Sequence, residues 1–247
     1  MAGYEQVTDH KGAPYHAVLR SLHATLNPRT YLEIGTLNGA TLKLSTAKSI
    51  AIDPKFQVDG NCLVGKPACH FFQMTSDQFF RDHSPSALLG SEIDLAFLDG
   101  MHLFEYLLRD FINTERHCRP NSIIAMHDCI PTDSHVARRS GGDQRYSETS
   151  PHPEWWAGDV WKVLLALREF RPELTIVSVD APPTGLVLVS NLSPTSTVLS
   201  DSYFEIVRKY IDMEISDIGL EKYFAEINMT PTAKLSDLSG ISKYFWL

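Results

Sequence analysis

Between residues 31 and 126 the chain repeats one pattern: a short, nearly continuous apolar run, followed by a stretch whose apolar residues recur three and four positions apart. The runs lie at 31–34, 49–52, 70–73, 94–98 and 122–126. Runs this short, apolar at successive positions, are what strands buried on both faces look like, and such strands belong to parallel sheets. The segments between them have helical spacing, as at Tyr15, Val18, Leu19, Leu22 and Leu26, and again at Phe104, Leu107, Leu108 and Phe111. Val160, Val163, Leu164 and Leu167 continue the pattern, with Asp159 placed to cap that helix. Two more strands, at 174–179 and 186–189, are joined through Asp180-Ala181-Pro182-Pro183-Thr184-Gly185, which has hairpin-turn chemistry. The expectation is an α/β fold: an open, mostly parallel, seven-stranded sheet with one antiparallel edge strand and helices on both faces.

Composition narrows the partners. The 247 residues are 43% hydrophobic and 21% charged, enough to bury a full core, which excludes disordered and collagen-like chains. Against 22 Lys and Arg stand 30 Asp and Glu, a formal net charge of −8, so binding of nucleic acid through a basic surface is not expected. Cys62, Cys69, Cys118 and Cys129 form no CxxC pair, which argues against a disulfide framework or a structural zinc site and for a reduced, cytoplasmic setting. No stretch approaches eighteen uncharged apolar residues, and the first thirty carry charges where a signal peptide needs its apolar run; no membrane association is expected.

One domain is expected over residues 1–200, with 130–158, dense in Pro, Gly, Ser and charge, as a long loop bordering the site. Residues 201–247 read as a helical extension packed on that domain or capping it, with stripes at Phe204, Val207 and Ile211, then at Leu220, Tyr223, Phe224 and Ile227. The apolar close at Tyr244, Phe245, Trp246 and Leu247 either packs on the sheet or covers a ligand or a second copy of the chain as a homo-oligomer.

The strongest local motif is Glu33-Ile34-Gly35-Thr36-Leu37-Asn38-Gly39, a strand end running into a turn punctuated by glycine and then a helix, with Asp53 at the end of the next strand. In an α/β sheet the first such turn is where a nucleotide-like ligand binds, and an acidic residue after the second strand can accept both hydroxyls of a ribose. A pyrophosphate site would need GxGxxG, but Leu37 and Ala40 stand at the second and third glycine positions, and no GxxxxGK[ST] occurs.

This combination resembles the class I S-adenosylmethionine-dependent methyltransferases. The fourth run ends in Leu98-Asp99-Gly100-Met101-His102-Leu103-Phe104-Glu105, which resembles the LDGxHxYE signature of the type 24 methyltransferase domain, with Phe104 where that family more often has Tyr. The resemblance covers about residues 30 to 130 and implies the class I methyltransferase fold. It implies that Glu33, Gly35, Thr36, Asn38 and Gly39 hold the methionine and ribose part of S-adenosylmethionine, that Asp53 takes the ribose, and that Ser76 and Asp77 contact the adenine. The bland alternative is that Ser76 or Asp77 caps the helix that follows.

Asp99 would lie near the transferable methyl, and His102, with an ordinary pKa near neutrality, would take a proton from the acceptor hydroxyl. Asp99 and Asp128 are expected side by side on neighbouring strands. Metal-dependent O-methyltransferases place acidic residues at these two strand ends, so Asp99, Asp128 and His127 are candidate ligands for Mg2+ or another divalent metal. Arg138, Arg139, His152, Trp155 and Trp156, on the 130–158 loop, would border the acceptor or simply anchor the loop. The implied reaction is O-methylation of a small-molecule hydroxyl. The rivals are a non-catalytic protein that binds S-adenosylmethionine or a nucleotide, and a nicotinamide-dependent oxidoreductase.

Overall fold

A computed structural model describes residues 3–58 and 60–246. Its strands are β1 (Thr30–Ile34), β2 (Lys48–Ile52), β3 (Cys69–Phe72), β4 (Ile93–Leu98), β5 (Cys118–His127), β6 (Thr175–Val179) and β7 (Leu186–Ser190). The helices are α1 (Tyr15–Leu26), α2 (Ser76–Asp82), α3 (Pro85–Leu89), α4 (Phe104–Glu115), α5 (Lys162–Phe170), α6 (Val198–Asp201), α7 (Tyr203–Tyr210), α8 (Ile215–Ile218), α9 (Leu220–Ile227) and α10 (Leu238–Ile241).

The strands form one seven-stranded sheet in the order β3-β2-β1-β4-β5-β7-β6. The chain builds outward from β1 through β2 to β3, then returns to add β4 on the other side, so the order reverses between β1 and β4. Ligands of open α/β sheets bind at the carboxyl ends of the strands, at such a reversal. Parallel pairing sets Ile34 opposite both Ile52 and Leu98, and Leu98 opposite Met126. This register brings Gly35, Asp53, Asp99 and the His127–Asp128 pair to a common edge. β7 runs antiparallel to both neighbours and lies one place in, so the expected antiparallel pairing stands at this side of the sheet while β6 is the edge strand.

Successive side chains along a strand point to opposite faces, and here both faces are covered. Leu32, Ile34, Ile50, Ile52, Leu98, Ile124 and Met126 pack with Phe104, Leu108 and Phe111 of α4, Leu164 of α5 and Tyr223 of α9. Tyr31, Ala51, Leu95, Phe97, Ile123 and Ala125 pack with Val18, Leu19 and Leu22 of α1, and with Leu235, Ile241 and Phe245 from the C-terminal end. No helix of the described residues is long and apolar enough to cross a membrane.

Several expectations are corrected. The turn after β1 leads not into an α-helix but into a single 3-10 turn at Leu42–Leu44, because residues 35–47 must carry the whole crossover from β1 to β2. β3 is an edge strand and only half buried. The first part of the 130–158 loop is core: Ile130, Asp133 and Val136 are buried. The Asp133 carboxylate accepts from His135 N, Val136 N and the Ser150 hydroxyl at 2.7–2.9 Å, tying the two halves of the loop together.

Asp159 does not cap its own helix; its Oδ1 accepts from Phe104 N at 2.8 Å and so caps α4 across 55 residues. α2 is capped by Thr75, in a capping box with Gln78, not by Ser76 or Asp77. On α7 the buried side chains are Ile206 and Tyr210, while Phe204 is exposed. Phe245 packs under α1, Trp246 is exposed, and Leu247 lies outside the described residues.

Candidate active site

Gly35 has φ +84°, and a Cβ placed on it would sit 1.9 Å from the Asp99 carbonyl oxygen. Only glycine fits where the first turn is pressed on the end of β4. Leu37 also lies in the left-handed region, at φ +44°. It is held there because its N–H donates to Asp53 Oδ2 at 2.8 Å, while Lys55 N–H donates to Oδ1 at 2.6 Å. Asp53 is therefore the clasp of the turn, and a carboxylate with about four acceptor positions keeps two for a ligand's hydroxyls. Thr36 is buried with its hydroxyl unpartnered among the described residues; Asn38 is exposed and its side chain accepts from Ala40 N at 2.9 Å.

Glu33 is wholly buried. The Tyr31 hydroxyl donates to its Oε2 at 2.5 Å, and its Oε1 has no partner among the described residues. Burial pushes this carboxyl up to about 7 against the opposing hydrogen bond from Tyr31.

Across the turn, at the ends of β4 and β5, two carboxylates and two imidazoles interlock. His102 lies between the acids, its Nε2 3.4 Å from Asp99 Oδ1 and its Nδ1 3.1 Å from Asp128 Oδ2. His127 Nδ1 is 3.3 Å from Asp99 Oδ1 and 3.4 Å from Asp128 Oδ1. Asp128 stands at φ +61°, which turns it back toward this centre, and Thr184 from the hairpin before β7 donates to its Oδ1.

Burial disfavours the charged imidazoles, but the two carboxylates outweigh it, raising His102 to about 9 and His127 to about 10. Burial likewise opposes ionisation of Asp99, yet the histidines hold it well below the usual carboxylate range. With no cation between them, the flanking acids move His102 above its ordinary value near neutrality.

Asp99, His102 and Asp128 also form a ligand-competent group, each offering one atom, all within 4.8 Å of one another. Two carboxylate oxygens and one imidazole nitrogen suit a divalent cation. His102, rather than His127, completes this trio. Local sequence gave no sign of Tyr15, whose ring packs on His127 with centroids 3.9 Å apart at the start of α1. Burial, then Asp99, Asp128 and Glu33, raise its hydroxyl pKa, so it stays a donor.

At the ends of β3 and β4, Asp77 is taken up by Arg109, which donates from Nε at 2.8 Å and from Nη2 at 2.7 Å. Such a two-pronged pair uses both carboxylate oxygens. Ser76 instead faces Asp110 of α4, whose carboxyl burial pushes up to about 7 against the Ser76 hydroxyl.

The residues of the 130–158 loop mostly anchor it. Arg139 is paired with Glu105 and Asp159, and Arg138 donates to the carbonyls of His135 and Trp155. His152 bonds Asp9 and stacks on Trp155 at 3.7 Å. The Trp156 indole donates to Arg138 O and lies beside the His102 ring, 5.4 Å between centroids. Beyond it a cavity of about 600 Å³ is walled by Leu103, Arg138, Tyr146, Trp156 and Met213.

Residues 32–129 match the family model described as a methyltransferase domain, Methyltransf_24. Among solved structures, the chain is similar to the O-methyltransferase TomG from Streptomyces achromogenes, solved with S-adenosylmethionine (17% identity, 76% of this chain and 84% of that one, TM-score 0.51). An O-methyltransferase from Bacillus cereus, solved with S-adenosylhomocysteine, also matches (14% identity, 73% and 82%, TM-score 0.47). At 17% identity the likeness to TomG is one of fold. No curated protein matches the chain by sequence.

Proposed function

We propose that the protein, whose residues 32–129 match a methyltransferase-domain model, transfers the methyl group of S-adenosylmethionine to a hydroxyl oxygen of a small-molecule acceptor. The observation that carries this reading is the placement of the Asp99–His102–Asp128 group directly beside the Gly35 turn, with Gly35 packed on the Asp99 backbone. A site for the donor's methionine end and a site for acceptor chemistry thereby share one strand end.

The transfer is a single displacement. The acceptor oxygen forms a bond to the methyl carbon as the carbon–sulfur bond breaks, the sulfonium becomes a neutral thioether, and the hydroxyl proton passes to solvent water. The protein's part is alignment and charge placement. The turn seats the donor, and Asp53 keeps acceptor positions for its ribose hydroxyls. Glu33, dry and on the α1 side of the turn, supplies a carboxylate toward a donor that carries a positive sulfonium; that cation favours ionised Glu33.

Asp99, His102 and Asp128 would hold a divalent cation, which when bound lowers the pKa of an acceptor hydroxyl. His102 would have to be neutral to serve as a ligand, so the affinity of such a site would rise with pH. Tyr15, stacked on His127 at the start of α1, would orient the acceptor by donating its hydroxyl to it.

The test is formation of S-adenosylhomocysteine from S-adenosylmethionine on a panel of phenols, catechols and sugars, with and without Mg2+. Turnover with a hydroxyl acceptor supports the reading. Binding of the donor with turnover on amines alone would refute the oxygen assignment.

A further inference from the structure

The cavity beyond Trp156 has no part in the transfer described above. At about 600 Å³ it is the size of a site for a small organic ligand. It lies between the 130–158 loop and residues 211–216, which lead from α7 into α8; Leu103, Met213 and Ile215 give it apolar walls beside the rings of Tyr146 and Trp156. None of Asp99, His102 and Asp128 lines it.

Four cationic side chains do line it, and three of them have counter-ions. Arg139 is paired with Glu105 and Asp159, Arg145 with Asp143 and Glu214, and Lys162 with Asp159. Arg138, the fourth, has no carboxylate at ion-pair distance among the described residues. Carbonyl oxygens hold it instead: Nη1 donates to His135 O at 2.6 Å and to Trp155 O at 2.7 Å, and Nη2 donates to Gly141 O at 3.3 Å. These carbonyls fix the plane of the guanidinium without cancelling its charge. A guanidinium carries five N–H donors, so Nη2 keeps one for a ligand. Burial pushes the Arg138 pKa down, whereas hydrogen bonds to Glu105 and Glu214 push Arg139 and Arg145 up.

Of the acids that line the cavity, only Asp212 is in no ion pair among the described residues, and it is exposed, where solvent screens it. The charge left uncompensated on the inner wall is therefore a single positive one, held rigidly beside two aromatic rings. It matches a carboxylate, with one negative charge, better than a phosphate dianion. We propose that this cavity binds an aromatic carboxylate, with the carboxylate on Arg138 Nη2 and the ring beside Trp156 and Tyr146.

Such a carboxylate belongs either to the methyl acceptor itself or to a separate ligand. Trp156 is the wall between the cavity and the catalytic centre, its carbonyl 3.2 Å from His102 Nδ1. The binding claim stands without the donor reading; the acceptor alternative rests on it.

Calorimetric titration of wild type, Arg138→Gln and Met213→Trp with cinnamate, 4-hydroxycinnamate and indole-3-acetate, each against its neutral amide, tests the proposal. Wild type is expected to bind at least one carboxylate tenfold or more tighter than its amide, as for a hydrogen bond to a charged group. Arg138→Gln should lose that preference. Met213→Trp, which fills the cavity and leaves Arg138 in place, should bind the same carboxylate at least tenfold more weakly. No preference in wild type, a preference kept by Arg138→Gln, or unchanged binding by Met213→Trp overturns the proposal. Where Arg138→Gln fails to fold, Met213→Trp decides. Methylation of 4-hydroxycinnamate by S-adenosylmethionine assigns the carboxylate to the acceptor, and binding without methylation assigns it to a separate ligand. Wild type that binds a carboxylate but not S-adenosylmethionine removes the donor reading and leaves this site standing.

Discussion

Replacing Glu33 by Gln should make the protein more stable, and only above a certain pH. Glu33 is fully buried with one oxygen unpartnered among the described residues, and burial raises its pKa from 4.5 to about 7. In the unfolded chain the group ionises near its ordinary value, so between roughly pH 4.5 and 7 the folded state binds more protons than the unfolded one. Stability therefore falls as pH rises through this window and levels off above it. A shift of about 2.5 units corresponds to about 3 kcal/mol lost by pH 8.

Gln keeps an acceptor for the Tyr31 hydroxyl and never ionises, so the variant escapes this loss. At pH 4.5 the two proteins should melt together, and at pH 8 the variant should melt about 6–12 °C higher, the shift expected for about 3 kcal/mol in a chain of this size. Differential scanning calorimetry of both across pH 4.5–8 measures it, and the contribution of other carboxyls, Asp110 among them, cancels in the difference. A difference in Tm that is constant with pH would refute the reasoning. The same substitution should weaken binding of S-adenosylmethionine more than that of S-adenosylhomocysteine, which lacks the sulfonium charge.

Other substitutions follow from single contacts. Gly35→Ala forces a Cβ to within 1.9 Å of the Asp99 carbonyl at φ +84°; the turn must open, and titration should show donor binding reduced at least a hundredfold. Asp159→Ala removes the cap of α4 and leaves Lys162, 1% exposed and 2.8 Å from Asp159 Oδ2, without its counter-ion. Urea unfolding should show a loss of about 3–5 kcal/mol, as for other broken buried pairs; a loss under 1 kcal/mol would contradict the pairing. Asp128→Asn should leave S-adenosylhomocysteine affinity within twofold of wild type while weakening Mn2+ binding, followed by calorimetry, at least tenfold. Unchanged Mn2+ affinity would remove Asp128 from the trio.

How much of this was legible in the chain depends on how local each cause is. Strands β1, β2, β4 and β5 announce themselves because both faces are buried, so short apolar runs such as Ser49-Ile50-Ala51-Ile52 and Leu95-Ala96-Phe97-Leu98 dominate them. β3, at the edge, shows only a mixed run, Cys69-His70-Phe71-Phe72. Gly35, Asp53, Asp99 and Asp128 could be found because each directly follows a strand, and parallel register brings strand ends to one edge. Asp159 was misread because a cap is usually sought on its own helix, whereas this carboxylate reaches Phe104 across 55 residues. Tyr15 and Thr184 arrive at the site from α1 and the β6–β7 turn, and nothing in their immediate neighbours marks them. The pKa of His102 is raised by Asp128, 26 residues away, so that shift could not be read from the signature alone.

The central claim is that the Gly35 turn, clasped by Asp53, seats the methyl donor. Calorimetric titration of wild type and Asp53→Ala with S-adenosylmethionine and S-adenosylhomocysteine tests it most directly. The account predicts micromolar binding of both by wild type and at least a tenfold loss in Asp53→Ala, whose Leu37 and Lys55 amides lose their shared acceptor. Absence of binding by the folded wild type, or equal affinity in the variant, would contradict it.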